Sequence, residues 1–184
     1  MTLIFVRHGE TAHNAQRRFQ GQTNIPLSAR GREQARAAAE ALRTEAITHL
    51  YSSDLARAYQ TAEAIAAAQQ LPIVADERLR EFHFGSWEGL TWDEIVAKTP
   101  GLALDAWRQP RYYTPPGGES FETVVARVRA FLDEVRELPD DAVVAVVAHA
   151  GVLHAAIAVL EPKGIDPLAI SFANGSVLKL PLPR

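Results

Sequence analysis

The 184 residues are 47% hydrophobic and 22% charged, the balance of a globular protein with enough chain for one full core. Nineteen basic residues against twenty-two acidic ones leave a formal charge of -3, which argues against a nucleic-acid partner but not against an anionic small molecule held by a local arginine cluster. The absence of cysteine excludes a disulfide framework and a thiol nucleophile.

Residues 3–6, Leu-Ile-Phe-Val, predict a buried strand. The strand passes at once into Arg7-His8-Gly9-Glu10, an unusual set of polar groups for the end of an apolar run. No positive stretch, apolar run and small-residue cleavage site precede it, and the longest apolar runs, such as 142–148, are too short for a bilayer. A cytoplasmic protein with no membrane partner is therefore expected. A helix follows over 28–43 with Ser28 as its N-cap. A strand over 47–51 ends in Ser52-Ser53-Asp54, and Ser53 or Asp54 caps a helix over 55–69 whose Leu55, Ala58, Ala62, Ile65 and Ala66 share one face. A third strand is expected over 71–75.

Between 82 and 118 the periodicity stops, and Trp87, Trp92, Trp107, Tyr112, Tyr113 and Pro115-Pro116 crowd together. A short helix near 91–98 between long loops fits this stretch, as a segment covering a site rather than a second domain. A helix over 120–138, a strand over 143–148, a helix over 152–160 and a strand over 177–182 complete the chain. Residues 1–184 thus form one α/β domain, a three-layer sandwich with a mostly parallel central sheet and helices on both faces.

Three strands end in chemistry. The first is followed by Arg7-His8-Gly9, the second by Ser52-Ser53-Asp54 and then Arg57, and the fourth by His149-Ala150-Gly151. In open α/β sheets ligands bind outside the carboxyl ends of the strands, so if these three are parallel neighbours two histidines and two arginines meet at one edge. Taken singly, each has an ordinary reading: a turn histidine, a solvated arginine in a first helical turn, and Glu81 as a surface acid. Arg57 is misplaced there, since a helix N-terminus is already positive, and an intervening anion would remove the conflict.

The chain from L-I-F-V-R-H-G-E-T through Asn14, F-Q-G-Q at 19–22 and P-L-S-A-R-G-R-E-Q-A from Pro26 resembles the histidine phosphatase superfamily, the family of cofactor-dependent phosphoglycerate mutases and related phosphatases. The match continues through Y-S-S-D-L-A-R-A-Y-Q-T-A at 51–62, E-F-H-F-G-S-W-E-G at 81–89, G-G-E-S at 117–120 and V-A-H-A-G at 147–151, in the family order over nearly the whole chain. The resemblance implies that His8 attacks phosphorus and forms a phosphohistidine, which requires a neutral ring with one lone pair exposed. Arg7, Arg57 and His149 would keep it neutral by repulsion, and a backbone carbonyl near Gly9 would take its other N–H. Arg7, Asn14, Gln20, Gly21, Arg57, His149 and Ala150 match or adjoin the family's phosphate-binding positions, with amides at the helix start after His149 adding donors. Glu81 matches the general acid, its carboxyl kept protonated by Phe82, Phe84 and the phosphate dianion.

By this resemblance the substrate is a small phosphate ester and no cofactor or metal is needed, because arginine supplies the positive charge. A zinc pair from His149 and His154 has a spacing of five, off the four that aligns two ligands on a helix face. F-G-S-W-E-G resembles the phosphatase branch, including α-ribazole phosphatases and broad-specificity phosphatases. The stretch from Glu81 to His149 is comparatively compact, with only His83, Lys98, Arg108 and Arg111 basic in its loop region before Ser120, whereas family mutases carry longer basic insertions. Hydrolysis is the first reading, mutase activity the alternative, and a non-catalytic phosphate-binding module the third. His13, His49, His83 and His154 have no role in the motifs, and a homodimer through an edge strand is the assembly the pattern allows.

Overall fold

The computed structural model describes residues 1–101, 114–161 and 170–182; Trp107, Arg108, Arg111, Tyr112 and Tyr113 lie outside them. Five strands form one sheet: β1 (Thr2–Arg7), β2 (His49–Ser52), β3 (Ile73–Ala75), β4 (Val143–Ala148) and β5 (Val177–Pro181), in the spatial order β3-β2-β4-β1-β5. The first four run parallel, and β5 returns antiparallel along β1.

Alternation along the central strands assigns two cores. Leu3 and Phe5 of β1, with Val144, Val146 and Ala148 of β4, face the helices α5 (Phe121–Val135) and α6 (Ala150–Leu160). Ile4 and Val6, with Ala145 and Val147, face α2 (Ala29–Ala41) and α3 (Ala56–Gln69). Both faces are covered, so these strands read as unbroken apolar runs rather than alternating ones. Each fully buried aliphatic or aromatic side chain here contributes about 1.5–3 kcal/mol relative to exposure. Among the described residues no helix is long and apolar enough to cross a membrane.

Ser28 caps α2 by accepting from the Gly31 N–H at 3.0 Å, and Ser120 caps α5 through the Thr123 N–H at 3.1 Å. At α3 Leu55, rather than Ser53 or Asp54, occupies the cap position and makes no side-chain cap bond, while the Ser53 hydroxyl accepts from the Leu55 N–H at 3.3 Å just ahead of the helix. The Ala56 N–H instead donates to Asn24 Oδ1 at 2.8 Å, because Asp54 is drawn away to Arg80, whose Nε donates to its Oδ1 at 2.8 Å. A four-residue helix absent from the sequence reading, α1 (Ala12–Ala15), is held by a Thr11–Asn14 capping box. Helix α6 begins at Ala150, two residues earlier than the apolar periodicity indicates.

Within the aromatic stretch, α4 (Trp92–Lys98) falls where a helix was expected. Trp87 and Ile95 are buried in a small core with Phe19, Phe84, Leu90 and Trp92, and the Phe19 and Phe84 rings meet edge-on at 5.0 Å. These tryptophans therefore bind the loop after α1 to the segment around α4.

Candidate active site

The parallel register builds the site. Arg7 pairs with Ala148 across β1 and β4, and Ser52 with Val147 across β2 and β4, so the carboxyl ends of the three strands are level. The His8 N–H donates to the Ala148 carbonyl at 3.0 Å and the Ser53 N–H to the Val147 carbonyl at 3.0 Å, which extends the ladder one residue past the strands. His8 and His149 thus face each other with ring centroids 5.0 Å apart.

His8 is buried, and its Nδ1 lies 2.7 Å from the Gly9 carbonyl oxygen. A carbonyl only accepts, so Nδ1 carries the proton and Nε2 keeps its lone pair. The turn is tight: a Cβ on Gly9 would lie 2.3 Å from the Gly31 carbonyl oxygen in the first turn of α2. Burial, first of all, pushes the His8 pKa well below its ordinary value; repulsion from Arg57 adds to this, the Gly9 carbonyl opposes it, and Arg7 adds a smaller push. The sequence expectation rested on repulsion from three positive neighbours, His149 included. The order differs because the ring is enclosed and His149 is itself held far below its ordinary range by burial and Arg57.

Arg57, in the first turn of α3, is fully buried. Its Nη2 donates to the Gly21 carbonyl at 2.6 Å and its Nη1 to the Thr23 carbonyl at 2.9 Å, while Nε is buried without a partner. Burial lowers its pKa to about 10, against the pull of Glu81 and Glu88, so it stays cationic at neutral pH. Arg7 donates through Nη1 to the Phe172 carbonyl, and its Nε is likewise buried and unpartnered. Both ring nitrogens of His149 are in the same condition. Four buried polar atoms without a protein partner meet here, an arrangement that is costly unless another group satisfies them, and an anion has the acceptors to do so.

Glu81 Oε1 accepts from the Gly151 N–H at 3.0 Å and from its neighbour Phe82 N–H at 2.8 Å. It therefore caps α6, and the Gly151 amide, expected to serve phosphate, is occupied by this carboxylate. Ala150 opens the helix beside His149. A Cβ on Gly151 would lie 2.4 Å from Glu81 Oε1, so glycine lets the acid approach. Asn14 Oδ1 accepts from the Thr11 N–H at 3.1 Å and Gln20 Oε1 from the Thr11 hydroxyl at 2.6 Å, which commits both oxygens to protein donors. The Gly21 carbonyl is the acceptor for Arg57 Nη2.

Several supporting residues escaped the sequence reading. Asn174 Nδ2 donates to the His8 carbonyl at 3.1 Å and to Asn14 Oδ1 at 3.3 Å. Thr61 accepts from the Gly9 N–H at 3.1 Å and donates to the Arg57 carbonyl at 2.8 Å, tying β1 to α3. Arg127 of α5 pairs with both oxygens of Glu119 at 3.1 Å and donates to the Glu81 carbonyl at 3.1 Å. His154, the other half of the imagined zinc pair, lies against the Phe172 ring with Nε2 at 2.9 Å from the Ile170 carbonyl.

A family model described as histidine phosphatase superfamily (branch 1) matches residues 3–182. The glucosyl-3-phosphoglycerate phosphatase of Mycolicibacterium vanbaalenii is 40% identical over 187 residues, spanning 97% of this chain and 83% of that protein. An Enterobacter protein named "Probable phosphoglycerate mutase GpmB" is 40% identical over 149 residues, spanning 81% of this chain and 69% of its own. Among solved structures, a mycobacterial glucosyl-3-phosphoglycerate phosphatase complexed with VO3 superposes with a TM-score of 0.90 at 40% identity, covering 98% of this chain and 92% of that one. The α-ribazole phosphatase of Shigella flexneri gives 0.88 at 28% identity, covering 97% and 89%.

Proposed function

The chain belongs to the histidine phosphatase superfamily, branch 1, and from that premise we propose that it hydrolyses small phosphomonoesters through a phosphohistidine on His8. The observation that carries this reading is the neutral His8 ring, fixed by the Gly9 carbonyl, beside the unpartnered Nε atoms of two guanidiniums and the unpartnered ring of His149. Nε2 of His8 attacks phosphorus in line with the leaving oxygen; a P–N bond forms as the P–O bond breaks. The leaving alkoxide takes a proton from the Glu81 carboxyl. A water molecule then returns a proton to Glu81 and attacks the phosphohistidine, the P–N bond breaks, and inorganic phosphate leaves with both residues restored.

Arg7, Arg57, His149 and the amides of Asn14 and Gln20 hold the phosphoryl oxygens, whose charge must be matched in the transition state. No step uses a metal, since the guanidiniums supply the charge. The likeness to glucosyl-3-phosphoglycerate phosphatases supports phosphoglycerate esters as the first substrates to try, followed by sugar phosphates and α-ribazole phosphate.

The wild-type protein should release phosphate steadily from p-nitrophenyl phosphate in excess chelator, and His8→Ala should not. A strict metal requirement, or turnover by His8→Ala, overturns the mechanism. The mutase reading draws support from the similar protein named a mutase. Given 3-phosphoglycerate and a trace of the bisphosphate, the protein should yield phosphate and little 2-phosphoglycerate; fast interconversion would put the mutase reading first.

A further inference from the structure

Glu88 follows the short 3-10 turn Gly85–Trp87 and reaches into the loop after α1. Its Oε1 accepts from the Gln22 N–H at 2.9 Å and the Phe84 N–H at 3.2 Å. Its Oε2 accepts from the Thr23 N–H at 3.0 Å and the Thr23 hydroxyl at 2.6 Å. Four donors converge on one carboxylate whose side chain is only 16% exposed.

The same short loop presents its opposite groups to Arg57. While Glu88 takes the N–H groups of Gln22 and Thr23, the carbonyls of Gly21 and Thr23 hold Nη2 and Nη1 of the guanidinium. Gly21 has φ of +53°, and a Cβ there would lie 2.0 Å from Glu88 Oε1. Loop and carboxylate thus fit at a spacing that only glycine permits. On electrostatic grounds alone a carboxylate is out of place near a phosphate-binding cation, because it repels the substrate dianion. A structural task that only several strong acceptor positions can perform resolves that conflict.

We infer that Glu88 is a positioning residue for phosphoryl transfer: by clamping residues 21–23 it sets the plane of the Arg57 guanidinium and aims its Nε at the phosphoryl group. The inference rests on reading Arg57 as a phosphoryl ligand. The geometry is specific because a guanidinium held at both terminal nitrogens cannot rotate without breaking two charge-assisted bonds. The Glu88 charge has a second effect in the same direction, since with Glu81 it opposes the loss of Arg57 basicity caused by burial. Without the clamp, the loop carbonyls loosen and the cation loses its fixed direction, and a misplacement of about 1 Å at a reacting centre costs on the order of 100-fold in rate.

The test is a double-mutant cycle read by turnover of p-nitrophenyl phosphate and by calorimetric binding of orthovanadate, with Glu88→Ala and Glu88→Gln each made in the wild-type and Arg57→Lys backgrounds. Glu88→Ala should lower kcat about 10- to 100-fold and weaken vanadate binding about 10-fold in the wild-type background. In the Arg57→Lys background the same change should cost less than about 3-fold, because the group Glu88 serves is gone. Glu88→Gln, which keeps the volume and part of the bonding, should recover part of the loss and carries the cycle if the alanine variant fails to fold.

Equal factors in the two backgrounds would make Glu88 a generic stabiliser and overturn the inference. If the wild-type protein binds vanadate without hydrolysing esters, the phosphatase reading falls while the vanadate cycle still decides the role of Glu88. A wild-type protein that does neither overturns both.

Discussion

The sheet edge and the segments beside it present their polar groups by different physical means. At the edge, His8 and His149 follow β1 and β4 directly, and the backbone ladder brings the two rings to 5.0 Å from each other. Beside it, Glu81 in a loop and Arg57 in the first turn of α3 are met by long side chains reaching from elsewhere: Arg127 holds the Glu81 carbonyl, and Glu88 holds the loop that grips Arg57. His8 is thus placed by the fold, which is cooperative and hard to perturb. Glu81 and the buried Arg57 are placed by a few charge-assisted bonds, which single substitutions can remove without dismantling the sheet.

Substitutions can break this contrast. The largest effect expected away from the sheet edge is for Arg57→Ala, about 1,000-fold in kcat on p-nitrophenyl phosphate, because the cation acts on charge that develops in the transition state. A loss under about 10-fold would mean that the sheet edge suffices without it. Next, Glu81→Gln should slow an alkyl ester such as glycerol phosphate about 100-fold, and p-nitrophenyl phosphate less than about 10-fold, since nitrophenolate leaves without a proton. Equal losses on the two substrates would reduce Glu81 to an orienting group.

Arg127→Met sharpens the comparison further. It breaks the paired bonds to Glu119 and the bond to the Glu81 carbonyl, and should cost about 10-fold on the alkyl ester while leaving the p-nitrophenyl rate nearly intact. Introduced into Glu81→Gln it should add no further loss of rate, which steady-state kinetics on the double variant would check.

The smallest effect concerns stability at the sheet edge. His8 and His149 have folded pKa values pushed well below the ordinary 6.5, chiefly by burial. Between those lowered values and 6.5 the unfolded chain binds more protons than the folded one, so the pH-dependent part of stability is complete above pH 6.5 and is lost as pH falls. Each ring contributes up to about 1.4 kcal/mol per pH unit in that window. Calorimetry from about pH 7.5 down to about pH 5.5 should show Tm falling by several degrees, with a shallower fall for His149→Asn. A flat Tm in the wild-type protein would contradict neutral burial of the two rings.

Much of this architecture was legible in the sequence. The runs at 3–6 and 143–148 could be read because strands covered on both faces are apolar throughout, and Arg7, His8 and His149 stood out because they interrupt such runs. The helix α1 escaped because four residues carry no period, and the Asp54 cap failed because a distant arginine outbid the helix N-terminus for its carboxylate. The supporting clamps were invisible for a related reason. Glu88 meets Gln22 across 66 positions and Arg127 meets Glu81 across 46, and such pairings leave no spacing signal along the chain. The glycine at 21 stands out within F-Q-G-Q, yet its carbonyl contact to Arg57 and the approach of Glu88 that its missing Cβ allows leave no mark in the sequence.

The central claim is that the neutral ring at the end of β1 takes the phosphoryl group. Rapid quenching of the wild-type protein during turnover of a labelled phosphomonoester, followed by peptide mapping, tests it most directly. The account predicts an acid-labile, base-stable phosphate on the peptide containing His8, absent from His8→Ala and built up in any variant that slows the second step. Phosphate mapped to a different side chain, or label retained by His8→Ala, would contradict it.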